Sequence, residues 1–347
     1  MAAWPDLFWD CNMKLSNRTI LITGIGGFIG RRAAERALAL GMQVRGLERD
    51  SERAARISKE LGVQVLTGST TDPVAVTAVM IGCDYVLHTA ARVREDGTYP
   101  EFYEANVAGT RNVGQVARAA EVRAMVHLSS VMVYGFRYRA YVGEAGPLDG
   151  SEHPYCRTKI ESEDCLRALE RPGSFDVIIL RPGDVYGPGS DPWIVRPVQL
   201  MQKRLFALPD GGHGAINHCY VDNLIDAVFW SLRSDLGGET VTITDGRHTS
   251  VRNFYEELAR RCGLGAVRSL PAVILRLLLR INNTLAGMVP GLERLAEPEG
   301  VQFLMRPHPC SIARARELGF VPRVQLPEGL DRTIAWLRKS NRLGAAD

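Results

Sequence analysis

Read for the period of its apolar positions, the chain opens, after a poorly patterned stretch over residues 1–14, with the unbroken run Ile20-Leu21-Ile22. It then passes through glycines into helical spacing from Arg31 to Leu40. An apolar run with no polar alternation predicts a parallel strand buried on both faces. The alternation of short apolar run and helical segment repeats. Gln43 to Asp50 predicts a second strand ending in charge, Ser51 to Leu61 a helix, Val63 to Leu66 a strand, and Gly68 to Pro73 a loop opening another helix. Tyr85 to Ala91 and Met125 to Gly135 predict strands, separated by a helix over 102–120. A further helix runs from Tyr155 toward Leu169, and Val241 to Thr244 returns to the sheet. Strands alternating with helices of this length predict an α/β fold of the Rossmann type, a doubly wound parallel sheet, with a smaller, mostly helical C-terminal lobe. The expected division is an N-terminal extension over 1–14, a dinucleotide-binding domain over 15–186 joined by 218–246, and a substrate lobe from 187–217 and 247–340.

The junction between first strand and first helix carries the first chemistry. In Thr23-Gly-Ile-Gly-Gly-Phe-Ile-Gly30, Gly24 suits a tight turn, Gly27 lets bare backbone approach a diphosphate, and Gly30 lets helix and strand pack closely. The helix that follows presents free amides and its positive dipole end to the same place. At the tip of the second strand Glu48 stands where an acid holds the adenosine ribose hydroxyls of NAD, while Arg49 beside it suits a 2′-phosphate or stacks on adenine; NAD is expected, with NADP the alternative. Further on, Tyr155 and Lys159 are four apart and share a helical face. A phenol with its usual pKa of about 10 is a poor base at neutral pH, and a neighbouring cation stabilises the phenolate. Tyr155 can then exchange a proton with a substrate oxygen while Ser130 holds that oxygen. His88, at a strand end, reads as a packed, hydrogen-bonded side chain.

Composition fits a soluble globular enzyme, with 46% hydrophobic and 23% charged residues. A net charge of +3 without a basic block does not point to nucleic acid. Seven scattered cysteines with no Cys-x-x-Cys pair suit reduced thiols rather than a disulfide frame or zinc site, and no signal peptide is visible; a cytoplasmic location is expected, with no metal.

Across nearly all of Leu15 to Trp336 the chain resembles the extended short-chain dehydrogenase/reductase superfamily, the epimerase/dehydratase group. The motifs are the glycine turn, His88-Thr-Ala-Ala91, Asn106-Val-Ala-Gly-Thr110, Ser129-Ser-Val-Met-Val-Tyr-Gly135, Tyr155-Cys-Arg-Thr-Lys159, Arg181-Pro-Gly-Asp-Val-Tyr-Gly-Pro-Gly189 and Tyr220-Val-Asp-Asn223. The resemblance implies a catalytic Ser130, Tyr155 and Lys159. It implies cofactor contacts from Gly24, Gly27, Phe28, Ile29, Gly30, Glu48, Arg49, Ser69, Thr70, Thr89, Ala90, Ala91 and Asn106, with Pro182, Gly183 and Val185 lining the nicotinamide. Lys159 would also hold the nicotinamide ribose, and a homodimer is expected.

Departures narrow the substrate. Asp184 replaces a usual Asn, Ile216 and Asn217 replace an Arg-Asp pair whose arginine clamps diphosphate, Val131 and Met132 replace the acidic pair of dehydratases, and Ser69 replaces an adenine-side Asp. The segment Ile312 to Trp336 is most similar to 3β-hydroxysteroid dehydrogenases and related ketone reductases. The expected reaction is interconversion of a secondary alcohol and a ketone on a hydrophobic, sterol-, polyketide- or long-chain-like substrate. The alternatives are a nucleotide-sugar epimerase with tightly held NAD and, from another class, a cofactor-binding redox sensor or scaffold. The apolar stretch Pro271 to Pro290 is expected to be helical, with Arg276, Arg280, Asn283 and Gly287 on one stripe opposite Ile274, Leu278, Ile281 and Leu285. It is read as covering the substrate, against a plain core helix or peripheral membrane contact.

Overall fold

In the computed structural model, which describes residues 15–343, the central sheet contains β1 (Thr19–Thr23), β2 (Gln43–Glu48), β3 (Gln64–Thr67), β4 (Tyr85–His88), β5 (Ala124–Leu128), β6 (Asp176–Pro182) and β7 (Thr240–Ile243). All seven are parallel, in the order β7-β6-β5-β4-β1-β2-β3. The expected extension over 1–14 lies outside the described residues. Successive side chains of β1 serve opposite faces. Ile20 and Ile22 pack with Ala33, Ala34 and Ala37 of helix α1 (Phe28–Ala39), whereas Leu21 joins Val76, Val79 and Val113 on the other side. This two-sided burial is why the run tolerates no polar residue. The winding reverses between β1 and β4, so a crevice opens at the carboxyl ends of these strands, the place where open α/β sheets take ligands.

Three expected elements depart from their apolar patterns. β4 stops at His88, leaving Thr89 to Ala91 outside the strand, and β5 stops at Leu128, after which Val131–Tyr134 forms a 3-10 turn. The helix expected over 102–120 is divided into Tyr99–Tyr103, a π turn at Glu104–Ala108 and Gly109–Ala119. Asn106 lies in that π turn, its Oδ1 accepting from the Arg92 amide at 2.7 Å and its Nδ2 donating to the Arg92 carbonyl and to Thr158 Oγ1. The wider turn thus ties the loop after β4 to helix α2 (Pro154–Arg167), which carries Tyr155 and Lys159.

The smaller part is built on short pairings, Ala207–Pro209 with Arg268–Leu270 and Ala215–Ile216 with Thr249–Ser250, plus helices Arg196–Gln202, Val251–Cys262 and α3 (Ala272–Met288). Asp184–Tyr186 pairs in parallel with His218–Tyr220 where the two parts join. The stretch expected to cover the substrate through its apolar face is helical but faces the other way. Ala272, Leu275 and Leu279 turn inward onto Val301 and Leu295, Asn283 bonds Glu297, and Ile274, Leu278, Ile281 and Leu285 are exposed. Periodicity grouped Ile274, Leu278, Ile281 and Leu285 on one face, but the stripe expected opposite them is divided: Arg280 and Gly287 are exposed, while Asn283 and its neighbour Asn282 donate to carbonyls and a carboxylate of the segment that follows.

Candidate active site

The glycine turn is closed by its neighbours. Gly24 has φ +68°, and a Cβ there would stand 2.9 Å from the Ala90 backbone; one on Gly30 would stand 2.2 Å from the Gly24 carbonyl oxygen. Gly27 is the N-cap of α1 and provides no side-chain cap, so the first amides of the helix, at Phe28 and Ile29, are left for an acceptor from outside. Glu48 is buried beside them: its Oε2 accepts from the Gly26 amide at 3.2 Å and its Oε1 from the Asp50 amide at 3.2 Å. Arg49 is exposed next to it. A side-chain-free turn, an uncapped helix start and a carboxylate at the strand tip fit a dinucleotide's diphosphate and ribose. Ser69 Oγ meets Thr71 Oγ1 at 2.8 Å, and the Thr70 carbonyl accepts from Asn112, so both residues shape the loop after β3. Asn106 stands apart from the other expected contacts because its amide is already committed to Arg92 and Thr158.

At the other end of the crevice Ser130 caps the 3-10 turn, its Oγ accepting from the Met132 amide at 3.1 Å. Helix α2 starts at His153, whose Nδ1 accepts from the Tyr155 amide at 3.0 Å, and this fixes the turn bearing Tyr155. Burial raises the Tyr155 phenol to about 12, with a hydrogen bond to the Ser130 side chain pulling the other way. The expectation that Lys159 depresses this phenol is therefore corrected for the protein alone. The Lys159 ammonium lies 6.0 Å from the Tyr155 ring centre and donates to the Leu128 carbonyl at 2.7 Å. Lys159 is itself lowered by burial to about 8, although Glu163 raises it. Glu163 is held ionised by Arg181 and Ser129 against its own burial. His88 is a packed side chain, bonded to Thr23 Oγ1 at 2.7 Å and Thr110 Oγ1 at 2.9 Å, and burial pulls it down to about 3.

Pro182 ends β6 and Val185 lies in the next short strand, while a Cβ on Gly183 would meet the Asn217 carbonyl oxygen at 2.1 Å. Asp184 beside them is buried, and both its oxygens accept from Nη2 of the fully buried Arg306 at 2.6 Å. Burial disfavours charge on Arg306, yet Asp184 holds its pKa above the ordinary value. Sequence reading missed Arg306. The available signal was Asp184 itself, since a carboxylate within an apolar strand requires a buried partner. It also missed the aromatic surround. Tyr155 packs in one cluster with Phe102, Met132, Phe136 and Cys156, against which Phe303 of the smaller part rests, and the Phe136 and Phe303 rings meet edge to face at 5.0 Å.

The fold and the crevice together define a dinucleotide-dependent enzyme of the Rossmann type. The NAD dependent epimerase/dehydratase family matches residues 20–244, and the chain belongs to it. Over 315 residues it is 30% identical to a 4-hydroxy-2-methyl-3-oxo-4-farnesyl-3,4-dihydroquinoline-1-oxide ketoreductase of Stigmatella aurantiaca, covering 89% of this chain and 94% of that protein. It is 28% identical to a 2-alkyl-3-oxoalkanoate reductase of Stenotrophomonas maltophilia (strain K279a), over 91% of this chain and 98% of that one. Among solved structures, the UDP-glucuronic acid 4-epimerase from Bacillus cereus in complex with UDP-glucuronic acid and NAD shares the fold with a TM-score of 0.73, covering 93% of this chain and 99% of that chain at 19% identity. The protein is an NAD-dependent enzyme of the extended short-chain dehydrogenase/reductase type.

Proposed function

We propose that the protein reduces a ketone to a secondary alcohol on a hydrophobic substrate of long-chain or fused-ring character. The observation that carries this reading is the apolar cluster on Tyr155, to which Met132 and Phe136 contribute from one part of the molecule and Phe303 from the other. A hydrophobic site of this kind favours an apolar body beside the reacting oxygen. A reduced nicotinamide, when bound, would supply the hydride. Gly24, Gly27 and Gly30 would receive its diphosphate on the amides of α1, and Glu48 its adenosine ribose. Tyr155, a protonated phenol at neutral pH, gives its proton to the substrate oxygen as the carbonyl carbon is reduced. Ser130 donates a hydrogen bond to that oxygen. Lys159 places a positive charge behind the phenol, which favours the phenolate left after transfer, and the phenolate regains its proton from solvent.

The names of the two reductases quoted above support the same class of reaction. The nucleotide-sugar epimerase reading has the shared fold in its favour. Against it, Ile216 and Asn217 provide no cation for a diphosphate, and the charge of Arg306 is already neutralised by Asp184. The test is reduced-cofactor consumption with a panel of 2-alkyl-3-oxo acids and polycyclic ketones, beside UDP-hexoses. Turnover of the ketones, lost by about 10²-fold or more in Tyr155→Phe with cofactor binding retained, is expected. Interconversion of UDP-hexoses without net cofactor consumption would overturn the reading.

A further inference from the structure

Helix α3 carries apolar side chains on both sides. Ala272, Leu275 and Leu279 turn inward beside two amides that hold the segment that follows: Asn283 Nδ2 donates to Glu297 Oε2 at 2.9 Å, and Asn282 Oδ1 accepts from the Leu295 amide at 3.0 Å. Its outer face is Ile274, Leu277, Leu278, Ile281, Leu285 and Met288, each between 44% and 72% exposed. A surface helix in contact with water shows a polar outer face. Contiguous apolar exposure of this kind marks an interaction surface.

The charge along the segment indicates what lies opposite. From Gly263 to Leu292 the chain has Arg268, Arg276 and Arg280 and no aspartate or glutamate. Arg268 and Arg280 are exposed, and neither forms an ion pair among the described residues. A second copy of the chain docked through the same face about a two-fold axis would bring these like charges toward one another. A planar anionic surface meets both features, taking the side chains into its acyl boundary and the guanidinium groups at its phosphates. The helix has 17 residues, and no helix among the described residues is long and apolar enough to cross a membrane.

We infer that α3 is an interfacial helix that docks the protein on an anionic phospholipid surface through Ile274, Leu278, Ile281 and Leu285, with Arg268 and Arg280 at the headgroups. The inference concerns a surface and stands apart from the ketone reading, because docking is measured without substrate. On its inner side the helix packs on Val301, two residues from the Phe303 that rests against the Tyr155 cluster, so docking brings the crevice close to the lipid.

The experiment is co-sedimentation of the full chain with vesicles of phosphatidylcholine alone or with phosphatidylglycerol added. Strong binding to the mixed vesicles, weak binding to phosphatidylcholine and weakening by salt are expected. The variant Ile274→Ser/Leu278→Ser/Ile281→Ser/Leu285→Ser should lose on the order of 100-fold in binding with unchanged melting, since these side chains are not in the core. Arg268→Gln and Arg280→Gln, which leave the apolar face intact, should each lose about five-fold on mixed vesicles only. Absence of vesicle binding by the wild type, or binding that the serine variant keeps, overturns the inference. So does a wild-type dimer in sedimentation that the serines convert to monomer, which would assign the face to a second copy.

Discussion

Replacing Lys159 with methionine tests how far burial governs the site. The ammonium sits in the interior at about 8 where an exposed lysine has 10.5, a difference worth about 3 kcal/mol. The sign follows from proton binding. Below about pH 8 both folded and unfolded chains hold the proton, and the folded state bears the full penalty. Between about 8 and 10.5 the folded chain has released its proton while the unfolded chain keeps it, so stability rises with pH. Lys159→Met removes this dependence and also removes the donor to the Leu128 carbonyl, a loss of about 1 kcal/mol that does not vary with pH. Tyr155, which titrates at about 10 unfolded and about 12 folded, makes each protein less stable toward pH 10.5, but both proteins carry it, so it cancels in the difference; Glu163, held down by Arg181, stays ionised. Urea unfolding of both proteins at a series of pH values should show the wild type gaining about 3 kcal/mol on Lys159→Met between pH 7 and 10.5. A difference between the two proteins that stays flat across that range would mean that Lys159 is solvated in the folded state, and the account of the site as a desolvated one would be wrong.

Asp184→Asn leaves Arg306 buried beside a neutral partner and should destabilise the protein by about 3–5 kcal/mol in urea, with part of the loss recovered in Asp184→Asn/Arg306→Met; an unchanged unfolding midpoint would show that the pair is not needed to neutralise Arg306. Glu48→Ser removes the carboxylate that repels a 2′-phosphate while exposed Arg49 remains, so the ratio of NADP to NAD affinity should rise by about ten-fold, read by fluorescence titration of both reduced cofactors. No change in that ratio would take Glu48 out of cofactor selection.

What was legible in the chain was local. The turn from Gly24 to Gly30 announces itself because each glycine meets a constraint within a few residues or on the adjoining strand, and Tyr155 and Lys159 are paired by helical spacing alone. The fold class was legible for the same reason, since a two-sided buried strand leaves a run such as Ile20 to Ile22 without alternation. Interactions spanning long separations were not legible. Asp184 stood out as a departure, but its partner Arg306 lies 122 residues further on and has no motif around it. Phe303 joins the Tyr155 cluster across a similar gap. Spacing groups Ile274, Leu278, Ile281 and Leu285 on one face of Ala272–Met288, but that Ala272, Leu275 and Leu279 form the inward side depends on Leu295 and Val301, further along the chain.

The direction of the Tyr155 shift bears on the direction of the reaction. Sequence spacing suggested a phenol lowered by its lysine, a group able to exchange a proton with a substrate oxygen in either direction. The folded chain instead holds a phenol raised to about 12 next to an amine lowered to about 8, each displaced by burial in the direction of its neutral form. Such a pair disfavours the phenolate before substrate arrives, so in the proposed reaction the resting site is an acid. Its proton moves when charge develops on the substrate oxygen, where Ser130 can share the load. Burial maintains both shifts. Admitting water to Tyr155 and Lys159 would lower the phenol, raise the amine, and move the site toward oxidation of the alcohol.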